Sequence, residues 1–297
     1  MKPTLEALIH PHTSTDFFVA YKKNIPFVVH GLSHSISELT SLPFLQSLEA
    51  LLNSWPKDIQ VHLPDVRDEA SSIDTGPKDA KKLFQNKMGL LFNHAETISP
   101  VLEKWLETLR IDIGLSALTM SRCLMYATPA QGGTAAHFDQ NSNFVLQISG
   151  NKKWWIAPNT HVTNPMTRHT IGLETDPELG SYAEEIMPQE MPEDAKLFEL
   201  KAGSLLFVPR GSWHKTSADS DALSLNFTFS APTWIDLFTA ALRGRLAQSD
   251  LWRETANGVS DLNKRDEAEM KFDSLLEELK LDLPHWRAAD ILEATES

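Results

Sequence analysis

Two histidines and one aspartate have the residue types and spacing of a metal site that can activate dioxygen. His137 and Asp139 are separated by one residue, and His214 lies farther along the chain. In an extended segment, residues i and i+2 project from the same face, so His137 and Asp139 can point at one ion, while a second strand or strand end must deliver His214. Two imidazoles and one carboxylate on one face of iron(II) leave the opposite face open for an oxo acid and dioxygen. These three side chains are therefore candidate metal ligands and candidate catalytic residues.

A His-X-Asp pattern arises often by chance, so its surroundings carry the argument. The chain from Tyr126 reads YATPAQGGTAAHFDQNSNFVLQISGNKKWW, and from Phe198 it reads FELKAGSLLFVPRGSWH, with Ser-Leu-Asn following at 224–226. Together these blocks resemble the JmjC-type, cupin-fold 2-oxoglutarate oxygenases. They look closest to the hydroxylase branch, which includes the ribosomal oxygenases and the asparaginyl hydroxylase that acts on hypoxia-inducible factor. The resemblance is good from Tyr126 to Asn226, loose in the N-terminal third, and only general in the C-terminal helices.

The resemblance implies an iron(II)- and 2-oxoglutarate-dependent dioxygenase that hydroxylates a protein or peptide side chain and releases succinate and carbon dioxide. It assigns iron to His137, Asp139 and His214. By the resemblance, the family's basic residue for the distal carboxylate of 2-oxoglutarate falls on Lys152, fifteen positions after His137. A buried carboxylate requires a cation, so such a residue is expected somewhere in the pocket. Lys153 is the alternative cation, and both lysines could instead belong to a solvated turn after Gly150.

Four more polar residues fall where the family contacts the co-substrate. Tyr126 matches the hydroxyl donor of the ribosomal oxygenases, although its gap to His137 is one residue short, and Thr134 matches that of the asparaginyl hydroxylase. Either could equally be a core or turn residue. Asn143 and Asn226 correspond to amides near the metal-bound end of 2-oxoglutarate, and a polar amide among apolar strand residues needs a partner.

Several other functions are compatible with parts of this pattern. N-methyl-lysine demethylation proceeds through hydroxylation, so the metal ligands do not separate it from the primary hypothesis. A small-molecule or transfer-RNA hydroxylase of the same superfamily is a further alternative. Metal-dependent cupin enzymes without a co-substrate typically use three histidines and a glutamate, which Asp139 argues against. A non-catalytic cupin binding module typically has a broken triad, whereas this one is intact.

The elements that must position these residues are mostly short strands. Apolar runs separated by glycine- and proline-containing turns predict a sandwich or jelly-roll barrel from about residue 120 to 230. The fold class is therefore mainly β with flanking helices, a double-stranded β-helix (jelly-roll, cupin/JmjC) core plus C-terminal helices. Residues 161–195 interrupt the strand pattern, and loops of this length are usually functional covers or mobile segments. The predicted strands are Cys123–Thr128, Phe144–Ile148, Trp154–Ala157, Leu197–Leu200, Leu205–Val208 and Leu223–Phe229.

The flanking regions predict mixed structure before the barrel and helices after it. Strands are expected at Ile25–Val29 and Ile59–Leu63, and a helix is expected from Pro100 with Ser99 as its N-cap. The predicted oxygenase domain covers 1–232. A C-terminal helical region at 233–297 contains one helix from Trp234 and a second at Asp266–Leu279, and it raises the hypothesis of a homodimer.

Composition limits the partners and the compartment. The formal net charge of −13 argues against a nucleic-acid partner, which would require a basic surface, and fits either a basic protein target or simple solubility. No apolar run approaches the roughly 20 residues of a membrane helix. With one cysteine, Cys123, an internal disulfide and a cysteine zinc site are both excluded. The start of the chain lacks the features of a secretory signal, so we expect a cytoplasmic protein.

Overall fold

The short apolar runs of the sequence form strands in a computed structural model, in which residues 4–62 and 71–293 are described. All neighbouring strands pair antiparallel. The strands are β1 (Phe27–Val29), β2 (Ile59–His62), β3 (Ser72–Thr75), β4 (Gly89–Phe92), β5 (Met120–Thr128), β6 (Gly133–Phe138), β7 (Ser142–Ser149), β8 (Lys152–Ala157), β9 (His169–Thr170), β10 (Lys196–Leu200), β11 (Leu205–Val208), β12 (Trp213–Ala218) and β13 (Ala222–Ser230).

These strands form two sheets. The larger sheet has the order β1-β11-β7-β13-β5-β4-β2-β3, and the smaller sheet has the order β10-β8-β12-β6-β9. The order is not sequential, because successive strands such as β5, β6 and β7 alternate between the sheets, as a jelly roll requires. The predicted double-stranded β-helix core is confirmed.

All six predicted barrel runs are strands, with small differences at their ends. In the N-terminal third, β1 begins at Phe27 because the preceding Pro26 has no N–H for a sheet hydrogen bond. β2 covers Ile59–His62, and the predicted last residue, Leu63, lies outside the described residues. Five strands were not predicted as separate runs, namely β3, β4, β6, β9 and β12.

The helices before the barrel cover the outer face of the larger sheet. The helix predicted from Pro100 is confirmed, and its apolar stripe, Leu102, Trp105, Leu106 and Leu109, is buried. Ser99 occupies the N-cap position but makes no side-chain capping hydrogen bond. These helices are α1 (Leu5–Ile9), α2 (Ser14–Lys22), α3 (Ser37–Thr40), α4 (Leu48–Ser54), α5 (Pro77–Gln85) and α6 (Pro100–Asp112).

The insertion at 161–195 is ordered around an apolar cluster of its own. It contains β9 and a short helix, α7 (Pro177–Tyr182), whose N-cap Asp176 accepts hydrogen bonds from two backbone N–H groups. Leu179 and Met187 of the insertion pack with Phe138 of β6 and Trp213 of β12. Trp213 is therefore a packing residue, and the insertion is held against the two strands that carry the histidines.

The described residues divide into two compact units. One comprises the chain up to Leu115 together with Met120–Ser230, and the other comprises Ser116–Thr119 and the chain from Ala231. The second unit contains α8 (Trp234–Leu246), α9 (Arg265–Asp282) and α10 (Ala288–Glu293), which confirms both predicted C-terminal helices. The boundary predicted at 232/233 stays a prediction for an independently folding domain. Within the described part of the chain, no helix combines the length and the apolar character needed to cross a membrane.

Candidate metal centre

His137 and His214 face each other across neighbouring strands. β6 and β12 pair antiparallel with His137 directly opposite His214, and the two ring centroids are 4.1 Å apart. The Nδ1–H of His137 donates to the carbonyl of Ala135 (2.8 Å), and that of His214 donates to the carbonyl of Ser212 (2.9 Å). Because each Nδ1 carries the proton, each Nε2 is left with a lone pair for a metal ion.

Asp139 completes this arrangement from the residue that follows β6. Its Oδ2 lies 3.7 Å from Nε2 of His137 and 3.6 Å from Nε2 of His214. The backbone N–H of Gly211 donates to the carbonyl of Asp139 (2.9 Å), so the turn before β12 is tied to the end of β6. One ligand atom from each of the three side chains lies within 4.8 Å of the others, close enough to share one ion. The donor set fits a divalent transition metal that needs open positions.

The three side chains line a cavity of about 140 Å³ between the two sheets. All five residues predicted to contact 2-oxoglutarate also line this cavity, so the structure brings the complete predicted set together. The remaining lining residues were not predicted. The lining comprises Leu124, Tyr126, Thr134, His137, Asp139, Asn141, Asn143, Lys152, Trp154, Arg168, His214, Thr216, Asn226 and Thr228.

Lys152 places a buried cation at this cavity. The residue is 4% exposed, and its Nζ donates to Oγ1 of Thr128 (3.2 Å). The same Nζ lies 5.4 Å from the ring centroid of Trp154 and 5.8 Å from that of Tyr126. Within the described residues, Lys152 pairs with no carboxylate, and burial lowers the pKa of its ammonium from 10.5 to about 8. A buried ammonium that lacks a counter-ion fits an anionic ligand.

Lys153, the alternative cation, points elsewhere. Successive strand residues face opposite sides of a sheet, so only one of the two lysines can reach the cavity. Nζ of Lys153 forms an ion pair with Asp219 (3.0 Å). This geometry favours Lys152 as the co-substrate residue.

The two candidate hydroxyl donors have different surroundings. Tyr126 is half-buried beside the Lys152 ammonium. The Oγ1 atoms of Thr134 and Thr216 lie 3.0 Å apart. The backbone N–H of Thr134 also donates to Oγ1 of Thr216. Tyr126 is therefore placed near the cation, whereas Thr134 belongs to the β6–β12 contact that aligns the histidines.

The two amides also lie at the cavity but differ in their partners. Nδ2 of Asn143 donates to Oδ1 of Asn141 (3.0 Å), and Thr228 donates to Oδ1 of Asn143. Asn226 is 6% exposed, and its Oδ1 has no hydrogen-bond partner within the described chain. A buried amide oxygen without a partner is costly, so Asn226 is better explained by a ligand donor than by packing.

Sequence reasoning missed Arg168 and Thr128. Nε of Arg168 lies 3.1 Å from Oδ1 of Asp139, and Thr128 accepts the Lys152 hydrogen bond. The sequence of the insertion contains eight acidic residues and a single Lys or Arg, which is Arg168. That isolated positive charge could have indicated a specific role for this residue. Thr128 directly precedes Pro129 in the quoted motif, and nothing in its sequence context distinguishes it.

Comparison with known proteins identifies related chains. The JmjC domain profile matches residues 102–237. The chain is 31% identical to the uncharacterized protein YxbC of Bacillus subtilis (strain 168), over 93% of this chain and 86% of that protein. It is 36% identical to the bifunctional lysine-specific demethylase and histidyl-hydroxylase NO66 of Drosophila persimilis, over 36% of this chain and 14% of that protein.

A solved structure has the same fold. The Escherichia coli ribosomal oxygenase YcfD, in complex with cobalt and succinic acid, matches with a TM-score of 0.50 and 17% identity, over 91% of this chain and 67% of that chain. At this identity the likeness supports the fold. Together with the profile match and the near-full-length relative, it establishes that the chain belongs to the JmjC domain family of cupin-fold 2-oxoglutarate oxygenases.

Proposed function

We propose that this chain is an iron(II)- and 2-oxoglutarate-dependent dioxygenase that hydroxylates a protein or peptide side chain. One observation carries the proposal. Two imidazoles and a carboxylate that can share an ion line the same small cavity as a buried lysine that pairs with no carboxylate among the described residues. A metal with open positions and a cation for an organic acid are the two binding elements that this chemistry requires.

In this proposal His137, Asp139 and His214 hold iron, and Lys152 binds the distal carboxylate of 2-oxoglutarate. When bound, iron supplies the redox chemistry of decarboxylation and hydroxylation. The protein itself holds the metal ligands and the co-substrate in position. The Ala135 and Ser212 carbonyls fix the two imidazoles, and residues of both sheets enclose the small cavity. Tyr126, Asn143 and Asn226 are proposed to contact the co-substrate, and Thr134 to align the strands or contact it.

The proposed substrate is basic. The insertion, which contributes Arg168 to the cavity wall, carries eight acidic side chains, at positions 174, 176, 178, 184, 185, 190, 193 and 194. A negative surface beside the site attracts a positively charged polypeptide and repels nucleic acid. The name of YcfD as a ribosomal oxygenase supports a ribosomal protein as the target, in the cytoplasm. N-methyl-lysine demethylation remains the alternative outcome, since the NO66 relative carries both activities in its name.

The test is succinate release by the protein reconstituted anaerobically with iron(II). We expect release that requires both metal and 2-oxoglutarate, and that increases when ribosomal proteins of the host are added. Mass spectrometry is expected to find one added oxygen atom on a single side chain. Loss of a methyl group from lysine would favour demethylation instead. Bound cobalt(II) or iron(II) with no turnover under any substrate would favour the non-catalytic binding module.

The affinity for 2-oxoglutarate is expected to fall at alkaline pH. Burial lowers the pKa of Lys152 to about 8, so the free protein loses this proton above that pH. Because the carboxylate binds the ammonium form, kcat/KM for 2-oxoglutarate should fall about tenfold for each pH unit above the pKa. In Lys152→Arg the guanidinium stays protonated, so kcat/KM for 2-oxoglutarate should not begin to fall near pH 8. A fall that persists in Lys152→Arg would assign it to another group.

A homodimer through the C-terminal helices is part of the proposal. None of the side chains of α8 is buried, and Trp234, Leu262 and Leu281 are 77%, 91% and 74% exposed. Large apolar surfaces of this kind mark interaction sites. We expect light scattering to give twice the chain mass, and Trp234→Asp to weaken the dimer at least about tenfold. Ile186→Asp, at a position 92% exposed in the other unit, is the control, and a monomeric wild type would contradict the dimer.

A further inference from the structure

The cavity contains a second cation that the assigned roles do not use. Arg168 lines the cavity, and its Nε lies 3.1 Å from Oδ1 of Asp139. We propose that Arg168 is a positioning residue that holds the Asp139 carboxylate so that only Oδ2 faces the metal. The inference rests on the proposed function, because it assigns a role within the same metal centre.

The two carboxylate oxygens of Asp139 have separate partners. Oδ2 is the oxygen that lies 3.7 Å and 3.6 Å from the two imidazole Nε2 atoms. Oδ1 is the oxygen that faces the guanidinium. The ion pair at Oδ1 disfavours rotation of the carboxylate, so Asp139 offers the ion one oxygen. This leaves a coordination position that a carboxylate binding through both oxygens would fill.

Strand pairing delivers Arg168 to this place. In the antiparallel β6–β9 pair, His137 is opposite Thr170 and Phe138 is opposite His169. One step further along the same register, Asp139 is opposite Arg168. Opposite charges at directly opposed positions attract each other. The ion pair is also partly shielded from water, since the side chains of Arg168 and Asp139 are 27% and 19% exposed.

The same register explains why the insertion interrupts the barrel at this point. Its short strand β9 forms the edge of the smaller sheet beside the strand that carries His137. Arg210 also contacts the insertion, since its guanidinium donates to the carbonyls of Pro165 (2.8 Å) and Asn164 (3.3 Å). Arg210 anchors the insertion backbone, whereas Arg168 faces the candidate metal ligand.

This division gives a matched pair of variants. Arg168→Gln removes the cation from Asp139, and Arg210→Gln removes the hydrogen bonds to the backbone of the same insertion at Asn164 and Pro165. Both arginines contact or belong to the insertion at 161–195. If Arg168 only stabilised the insertion, the two variants should affect metal binding equally. A positioning role predicts an effect on metal binding from Arg168 alone.

The experiment is a titration of the metal-free full chain with Co²⁺, followed by visible absorption. We expect Arg168→Gln to bind Co²⁺ about 10- to 100-fold more weakly than wild type, as is usual when the partner of a metal ligand is removed. Repulsion between the guanidinium and the ion opposes this effect, but the guanidinium faces the oxygen that does not bind the ion, so orientation should dominate. Arg210→Gln should stay within about threefold of wild type.

The absorption spectrum and a conservative variant give independent readouts. A carboxylate free to bind through both oxygens changes the coordination number of Co²⁺, so the band intensity should differ in Arg168→Gln and match wild type in Arg210→Gln. Arg168→Lys retains the charge and should bind Co²⁺ more tightly than Arg168→Gln. Thermal unfolding of each variant checks that it is folded.

Three results would overturn the role of Arg168. They are wild-type affinity and spectrum in Arg168→Gln, equal losses in Arg168→Gln and Arg210→Gln, and no recovery in Arg168→Lys. Failure of the proposed function looks different, because it would appear as a wild type that does not bind Co²⁺ at all. Tight binding by wild type with an unaffected Arg168→Gln contradicts only the positioning role.

Discussion

Replacing Lys152 with methionine is expected to abolish 2-oxoglutarate turnover and, at neutral pH, to stabilise the ligand-free protein. The ammonium is buried with Thr128 as its hydrogen-bond partner, between the rings of Tyr126 and Trp154. Removing one partner of a buried charge pair costs roughly 3–5 kcal/mol, so we expect 2-oxoglutarate binding to weaken by about two to four orders of magnitude. Succinate release at varied 2-oxoglutarate concentration measures this loss.

The gain in stability follows from the lowered pKa. A fall from 10.5 to about 8 means that keeping the protonated amine in the folded state costs on the order of 3 kcal/mol. In the unfolded chain the amine keeps its ordinary pKa, so this cost is fully present below pH 8 and disappears as the pH rises toward 10.5. Lys152→Met should therefore have a larger free energy of unfolding than wild type at pH 7, and the difference should vanish at high pH.

Lys153→Met is the matched control for both measurements. The neighbouring side chain forms a solvent-accessible ion pair with Asp219, which contributes little to stability. We expect near-wild-type turnover and stability from this variant. If Lys153→Met lost 2-oxoglutarate binding and Lys152→Met kept it, the assignment of the co-substrate cation would be wrong.

Replacing His137 with alanine is expected to remove metal binding and turnover together. Its Nε2 is oriented by the Nδ1–H bond to Ala135 and lies beside the Asp139 carboxylate. Loss of a direct ligand should exceed the 10- to 100-fold effects of removing a ligand's partner, so we expect Co²⁺ or Fe²⁺ affinity to fall by more than about 100-fold. Equilibrium titration of the metal-free protein and succinate release give the two readouts.

His34→Ala is a suitable control because this histidine is exposed and does not line the cavity. The control should bind metal and turn over as wild type does. His214→Ala should behave like His137→Ala, since the two rings face each other in one strand pair. Wild-type turnover by either variant would remove the metal centre as the basis of the proposed activity.

Much of this site was predictable from local sequence. The i, i+2 spacing of His137 and Asp139 predicts a shared face because an extended chain alternates its side chains. The quoted motifs, through their resemblance to a family, supplied His214, Lys152 and the four other polar residues, and all of them line one cavity. Most strands with continuous apolar runs were also predictable, since burial on both faces leaves that pattern, although the apolar run of β4 was missed.

Two of the strands that sequence reasoning missed, β6 and β12, share a physical cause. β6 contains two alanines and a threonine, and β12 mixes tryptophan and alanine with polar residues, so neither has a clear apolar alternation. Their positions are decided by pairing with each other rather than by local preference. Strand formation depends strongly on such context, which a single segment does not contain.

The sequence alone determined the donor chemistry of the site: which side chains can bind a metal, that one of two neighbouring lysines suits an organic acid, and that short strands must carry them. Only the tertiary structure decided that Lys152 is the buried lysine, that Oδ1 of Asn226 has no hydrogen-bond partner among the described residues, and that Arg168 is opposite Asp139. The physical reason is that residue type and spacing act along the chain, whereas burial and pairing depend on which distant strands become neighbours.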